Sequence, residues 1–272
     1  MGNARERVSK SRGKGTLAAL DMDRALGDKT YQKRLGALQE TLRRIQQAYI
    51  YTGDAAVVLF EGWDTAGKGG TIRRITSAMD ARNLKVWPVM APREYYKARH
   101  HLTRFWERLP PNGAISIFDR SWYGRVLVER VEGFASAKEW RRAYREINNF
   151  EQMISDDGTR VVKVFLHITP EEQLKRFERR FRDPMKRWKL QYEDFRNRKR
   201  REDYTVAIED MLAETSTKTA PWHVVPANDK KYARIDAIKH ICKRLSAGVD
   251  LAPRPMDEQT LAEARALFGY EP

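Results

Sequence analysis

Apolar residues between Tyr31 and Ile50 recur three and four apart, at Leu35, Leu38, Leu42 and Ile45, a spacing that predicts a helix with one packed face. Tyr51-Thr-Gly-Asp54 ends it, and Ala55 to Phe60 is then six apolar residues in a row. An unbroken run of that length reads as a strand buried on both faces of a parallel sheet. Further short runs follow at Leu84 to Val89, Ala114 to Phe118, Val161 to Ile168 and Trp222 to Val225, each separated from the next by a helix-like stretch. The alternation predicts βαβ crossovers and an α/β fold of three layers, a mostly parallel five-stranded sheet between helices, with ligands beyond the carboxyl ends of the strands. Thr169-Pro-Glu-Glu172 supplies a cap, a proline at the first helical position and two acids in the first turn, so a helix starts there. Asp183-Pro184 interrupts it, and Met185 to Arg201 predicts a second, basic helical piece. The resulting hairpin, placed before the last strand, reads as a mobile helical lid over about residues 181–201. Ile235 to Leu245 predicts a closing helix, and there is no internal repeat.

Charge adds a partner class to this picture. The chain has 52 Lys and Arg against 37 Asp and Glu, a formal +15, which predicts a polyanion: nucleic acid, an anionic membrane or an inorganic polymer. The excess is concentrated, since Glu171 to Arg201 carries thirteen cations and six anions. A hydrophobic content of 41% suffices for a sizeable core and argues against wholesale disorder. At 272 residues one domain is expected: 1–27 a basic tail read as disordered, 28–250 the folded domain, and 251–272 a C-terminal extension. Cys242 is the only cysteine, which excludes an intrachain disulfide and a cysteine-rich metal site and favours a cytoplasmic location. No apolar run approaches the roughly 20 residues of a membrane span, so no membrane partner is expected.

The chemistry sits after the first strand. Glu61-Gly62-Trp63-Asp64-Thr65-Ala66-Gly67-Lys68-Gly69-Gly70-Thr71 fits GxxxxGK and runs on into the helical pattern Ile72, Ile75, Met79. Gly62, Thr65, Ala66, Gly67, Gly69, Gly70 and Thr71 are the expected phosphate-binding set, because glycines let backbone N–H groups turn inward around phosphate oxygens. Lys68 neutralises the transferring group. The residue after the lysine is Gly69, where the usual loop has the Ser or Thr that holds Mg²⁺, so another oxygen must do so, and Asp64 is the candidate. Ile115 to Asp119 ends a strand with a second carboxylate, the layout of a Walker B aspartate. Arg120 and Arg125 follow it, and guanidinium groups bind phosphate oxygens bidentately. Residues 28–250 thus read as a P-loop kinase domain.

Four segments, EGWDTAGKGGTIRR, FDRSWYGRVLVERVEGF, RDPMKRWKL and APWHVVPANDKKYARI, resemble in this order the polyphosphate kinase 2 family, over about Tyr31 to Leu245. The second segment looks most like the subgroup that phosphorylates AMP, many of whose members carry two fused copies where this chain has one. The resemblance implies a thymidylate-kinase-like P-loop fold and Mg²⁺ as cofactor, with Mn²⁺ as the alternative ion. It also implies inorganic polyphosphate as donor, a nucleoside mono- or diphosphate as acceptor, and a homo-oligomer, dimer or tetramer. Asp64 and Asp119 would ligate the metal, Lys68 would bind the reacting phosphoryl group, and Arg120 and Arg125 would stabilise its charge. Arg180, Lys186, Arg187 and Lys189 would hold polyphosphate on the lid.

Arg93, Glu94 and Tyr95 follow the second strand, where kinases of this fold hold the acceptor, and a tyrosine ring stacks on a base. That stretch departs from the family pattern. The five histidines are scattered, with no spacing for a metal or a triad; His167 and His223 read as strand residues, and His100 and His101 as surface or acceptor-side residues. Trp106 and Trp140 read as core. Competing readings are an ATP-dependent nucleoside or nucleotide kinase, against which Gly69 and the concentrated lid charge count, and a basic P-loop protein that binds nucleic acid without sequence preference. No specific nucleic acid is expected.

Overall fold

The computed structural model describes residues 15–269. Along the chain run α1 (Asp28–Thr52), β1 (Ala55–Gly62), α2 (Lys68–Thr76), β2 (Leu84–Pro88), α3 (Glu94–Lys97), α4 (Thr103–Trp106), β3 (Ile115–Asp119), α5 (Val128–Val131), α6 (Ala137–Asp156) and β4 (Thr159–His167). They are followed by α7 (Pro170–Arg182), α8 (Tyr192–Lys199), α9 (Arg201–Thr215), β5 (Trp222–Pro226), α10 (Lys230–Leu245) and α11 (Glu258–Phe268). The amphipathic pattern of α1 extends further than predicted, until Gly53 adopts a left-handed conformation and its N–H closes onto the Tyr49 carbonyl. As expected, Thr169 caps α7 by accepting from the Glu172 N–H, with Pro170 in its first turn.

The five strands form one sheet in the order β2-β3-β1-β4-β5, and every pairing is parallel. β1 lies at its centre, which is why Ala56 to Phe60 are wholly buried and why that segment reads as a continuous apolar run. Phe60 stands opposite Asp119 and Gly62 opposite Leu166, so the chain leaves β1, β3 and β4 at the same edge. Two helical groups flank the sheet: α10 packs on α1, α2, β4 and β5, while α6 packs on β4, α5 and α9.

Three expectations are corrected. Residues 15–27 are built into the domain: Leu17 belongs to the core, and the N–H groups of Thr16 and Leu17 donate to the Glu209 carboxylate at 2.9 and 2.8 Å. The rest of the segment read as a disordered tail lies outside the described residues. The basic piece from Met185 to Arg201 is not one helix but a short 3-10 turn at Arg187–Lys189, then α8, with Arg201 opening α9. Trp106 is 46% exposed, its ring set edge-on against Phe150, so it lies at the rim of the core. No helix among the described residues is long and apolar enough to cross a membrane.

Candidate active site

At the carboxyl end of β1 the backbone turns tightly from the sheet into α2. Gly62 has φ 142°, and a Cβ there would stand 2.4 Å from the Leu166 carbonyl oxygen, so only glycine lets β1 and β4 run this close. Gly67 (φ 117°) caps α2. Thr65 adopts a left-handed conformation (φ 66°), unusual for a β-branched residue, and Arg120 does the same (φ 65°) on the neighbouring loop after β3. Strain at both loops is held by their surroundings. Arg176 of α7, nearly fully buried, donates to the carbonyls of Thr65 and Ala66 at 2.9 Å each and to those of Ala227 and Asn228 at 2.7 and 2.8 Å. It ties the turn after β1 to the turn after β5.

Lys68 opens α2 and folds back, its ammonium donating to the Gly62 and Trp63 carbonyls at 2.7 and 3.3 Å. Burial and the nearby Arg120 lower its pKa, while Asp119, Asp64 and Glu61 pull the other way, so three carboxylates lie within electrostatic reach of one amine. Asp64 accepts from Arg120 Nη2 at 2.9 Å on one oxygen and from Asn197 Nδ2 of α8 at 3.0 Å on the other. Glu61 is buried, accepts from the Ser121 hydroxyl at 2.8 Å, and is pushed upward in pKa chiefly by burial. A Cβ placed on Gly69 would lie 3.8 Å from Asp119 Oδ2, so the position of the missing loop hydroxyl faces that carboxylate. Two carboxylates are a donor set suited to a hard divalent ion, which takes one or two protein carboxylates together with phosphate oxygens.

The loop carrying Arg120 and Arg125 rests on a buried polar network. Lys163 of β4, fully buried, donates to Glu151 Oε2 at 2.7 Å, to the Tyr123 hydroxyl at 2.8 Å and to the Thr215 carbonyl at 2.7 Å. The other Glu151 oxygen accepts from Trp122 Nε1 and the Tyr123 hydroxyl at 2.9 and 2.7 Å. Burial favours the neutral form of each partner, and their contact opposes it. Arg125 lies further along, paired with Glu129 at 3.0 Å.

The structure thus gathers Asp64, Lys68, Asp119 and Arg120 around one turn, with Gly62, Thr65, Ala66, Gly67, Gly69, Gly70 and Thr71 forming its backbone. Lys186, Arg187 and Lys189 are exposed at the end of the α7–α8 hairpin, while Arg180 is half-buried and acts on Asp194 together with Asp64 and Arg120; within the hairpin Arg180 bonds to the Lys189 carbonyl, Arg187 to the Phe181 carbonyl and Lys186 to Asp183. Arg93, Glu94 and Tyr95 are exposed on and just before α3; Glu94 pairs with Lys97, and the Arg99 guanidinium covers one face of the Tyr95 ring at 3.5 Å. Sequence reasoning missed Glu61, Arg176, Asn197 and the Lys163–Glu151 pair. Only Glu61, within the phosphate-loop segment itself, carried a local signal. It also found no spacing among the histidines for a metal or a triad and read His100 and His101 as surface or acceptor-side residues, whereas the His101 side chain is 7% exposed and both rings point a nitrogen at Glu146, at 3.4 and 3.0 Å.

Comparison with known proteins adds a family. The family model described as Polyphosphate kinase 2 matches residues 25–250. A polyphosphate:AMP phosphotransferase of Pseudomonas syringae pv. tomato is 45% identical over 84% of this chain and 46% of its own length. An ADP-polyphosphate phosphotransferase of Rhizobium meliloti is 43% identical over 81% of this chain and 72% of its own. The crystal structure of a polyphosphate kinase 2 from Arthrobacter aurescens superposes with a TM-score of 0.85 at 34% identity, covering 93% of this chain and 92% of the other. The chain spans about half the length of the polyphosphate:AMP phosphotransferases it matches.

Proposed function

The chain belongs to the polyphosphate kinase 2 family, and from that premise we propose that it transfers a phosphoryl group between inorganic polyphosphate and a nucleotide, AMP being the favoured acceptor. ADP to ATP and GDP to GTP are further reactions of the same site, all reversible because one phosphoanhydride replaces another. The carrying observation is the phosphate-loop turn in which Lys68 lies within reach of both Asp64 and Asp119. Asp64 and Asp119 are the residues that would hold Mg²⁺, or Mn²⁺ in its place; bound there, the ion supplies charge neutralisation for the phosphate oxygens.

The remaining catalysis is positioning and electrostatics. In-line phosphoryl transfer asks little covalent work of a protein. The N–H groups of residues 65–71 and the start of α2 orient the phosphates, Lys68 swings from its carbonyl partners to the transferring group, and Arg120 and Arg125 stabilise its equatorial charge. Arg180, Lys186, Arg187 and Lys189 carry the polyphosphate along the hairpin, which acts as a lid. Arg93, Glu94 and Tyr95 receive the acceptor, with the exposed Tyr95 ring toward the base. The working unit is the folded domain, residues 15–250, assembled as a homo-oligomer that sedimentation would count.

The test is direct: purified chain, AMP or ADP, long-chain polyphosphate and Mg²⁺ without ATP, with nucleotides separated by chromatography. Formation of the next higher nucleotide is expected. Turnover with ATP as donor and none with polyphosphate would overturn the proposal in favour of an ordinary nucleotide kinase.

A further inference from the structure

The fold brings His100 and His101, in the segment between α3 and α4, against Glu146 of α6, 45 positions away in sequence. We propose that these three side chains form a second metal site, for a transition ion of the Zn²⁺ class, separate from the oxygen-only pair Asp64 and Asp119. One ligand atom from each lies within 4.8 Å of the others. Glu146 Oε2 is 3.0 Å from His101 Nε2 and 3.4 Å from His100 Nε2. A tetrahedral centre with metal–ligand bonds of about 2.0–2.1 Å spaces its ligand atoms about 3.3 Å apart, so the two rings need only small turns to accept an ion.

The surroundings favour binding. Glu146 Oε1 accepts from Arg142 Nε at 2.5 Å, which orients the carboxylate and leaves Oε2 toward the imidazoles. His101 Nδ1 is buried without a hydrogen-bond partner, and Glu146 is the acceptor that faces the other ring nitrogen. The His100 side chain is 49% exposed, which leaves the remaining coordination positions to water. Two imidazoles and one carboxylate select Zn²⁺, Co²⁺ or Ni²⁺ over Mg²⁺. Arg125 and Arg142 are the cations facing the cluster and set the affinity at a moderate level. An ion here clamps the segment that follows α3 to α6, beside the loop that carries Arg125.

Untagged chain is dialysed against Zn²⁺ in millimolar Mg²⁺ and its metal content measured, with Co²⁺ absorption as the coordination readout. One equivalent is expected, with a dissociation constant on the order of micromolar, weakened at least about tenfold in both H100A and E146Q. His100 is exposed enough for H100A to keep its fold, which melting without Zn²⁺ verifies. The other imidazole pair, His223 stacked 4.0 Å from His240 and bonded to Asp236 at 2.7 Å, provides the control. Binding retained in H240A and lost in H100A bears out the proposal; less than one equivalent at saturating Zn²⁺, or loss of binding in H240A instead, overturns it.

Discussion

Lys163 and Glu151 show what a single pair of residues does beneath the site. Both are all but inaccessible, and their network holds the Trp122-Tyr123 turn from which Arg120 and Arg125 project. Removing one partner strands the other's charge in the core, which costs about 3–5 kcal/mol. K163M is therefore expected to lower unfolding free energy by about that amount in a urea titration, and a double K163M/E151L variant to recover part of it. Recovery stays partial because Trp122 Nε1 and the Tyr123 hydroxyl lose their acceptor. At Gly62 the constraint is steric: G62A drives a methyl group onto the Leu166 carbonyl in a backbone conformation that disfavours side chains, an expected loss of about 1–3 kcal/mol visible in the melting temperature. Asp64 and Asp119 are tested by amide substitution. D64N and D119N should each cut kcat at least about a thousandfold while leaving polyphosphate retention nearly intact, since neither change removes a cation. Wild-type rates in both would sink the metal assignment.

At the scale of elements, the α7–α8 hairpin does two jobs that its composition merges. Its end carries the half-buried Arg180 and the exposed Lys186, Arg187 and Lys189, whereas its inner side is structural. Arg176 and Arg198 are tied to backbone carbonyls, as is Arg201 at the start of α9, whose guanidinium also lies 3.9 Å over the Trp63 ring. Of the thirteen cations between Glu171 and Arg201, then, several build the domain rather than attract a polyanion. Neutralising Arg180 and Lys186 together is expected to raise KM for polyphosphate several-fold, more so at low salt, with kcat little changed. Equal KM for polyphosphate in the double variant would remove the hairpin from the donor track. The hairpin also reaches the phosphate turn through Asn197 and Asp64, a contact that couples its position to the proposed metal ligand.

For the molecule as a whole, three partly buried histidines set the acid limit. His101, His167 and His240 are each lowered to about 4, burial being the main cause. Between that value and the ordinary 6.5 the unfolded chain holds more protons than the folded one, so stability is full above about pH 6.5 and falls as pH drops toward 4. The decline is expected to begin above the carboxylate range, as a melting temperature that decreases from pH 6.5 downward. His167 Nδ1 accepts from Trp63 Nε1 at 2.9 Å, a bond that protonation breaks. H167Q, which keeps an acceptor and cannot ionise, should flatten the upper part of that curve; an unchanged profile would place the acid sensitivity elsewhere.

The local pattern alone determined the strands, the glycine turn after β1 and the cap of α7. A strand buried on both faces needs a continuous apolar run, and a backbone that wraps phosphate needs glycines at fixed offsets. Both demands are met by neighbours in sequence, which makes them readable there. Tertiary structure alone decided the strand order, the incorporation of Leu17, and the partners of Arg176, Asn197, Lys163 and the His100–His101 pair. Those contacts join residues 12 to 192 positions apart. A buried polar group takes whichever complementary group the packing of separate elements brings near it, and spacing along the chain carries no record of that choice.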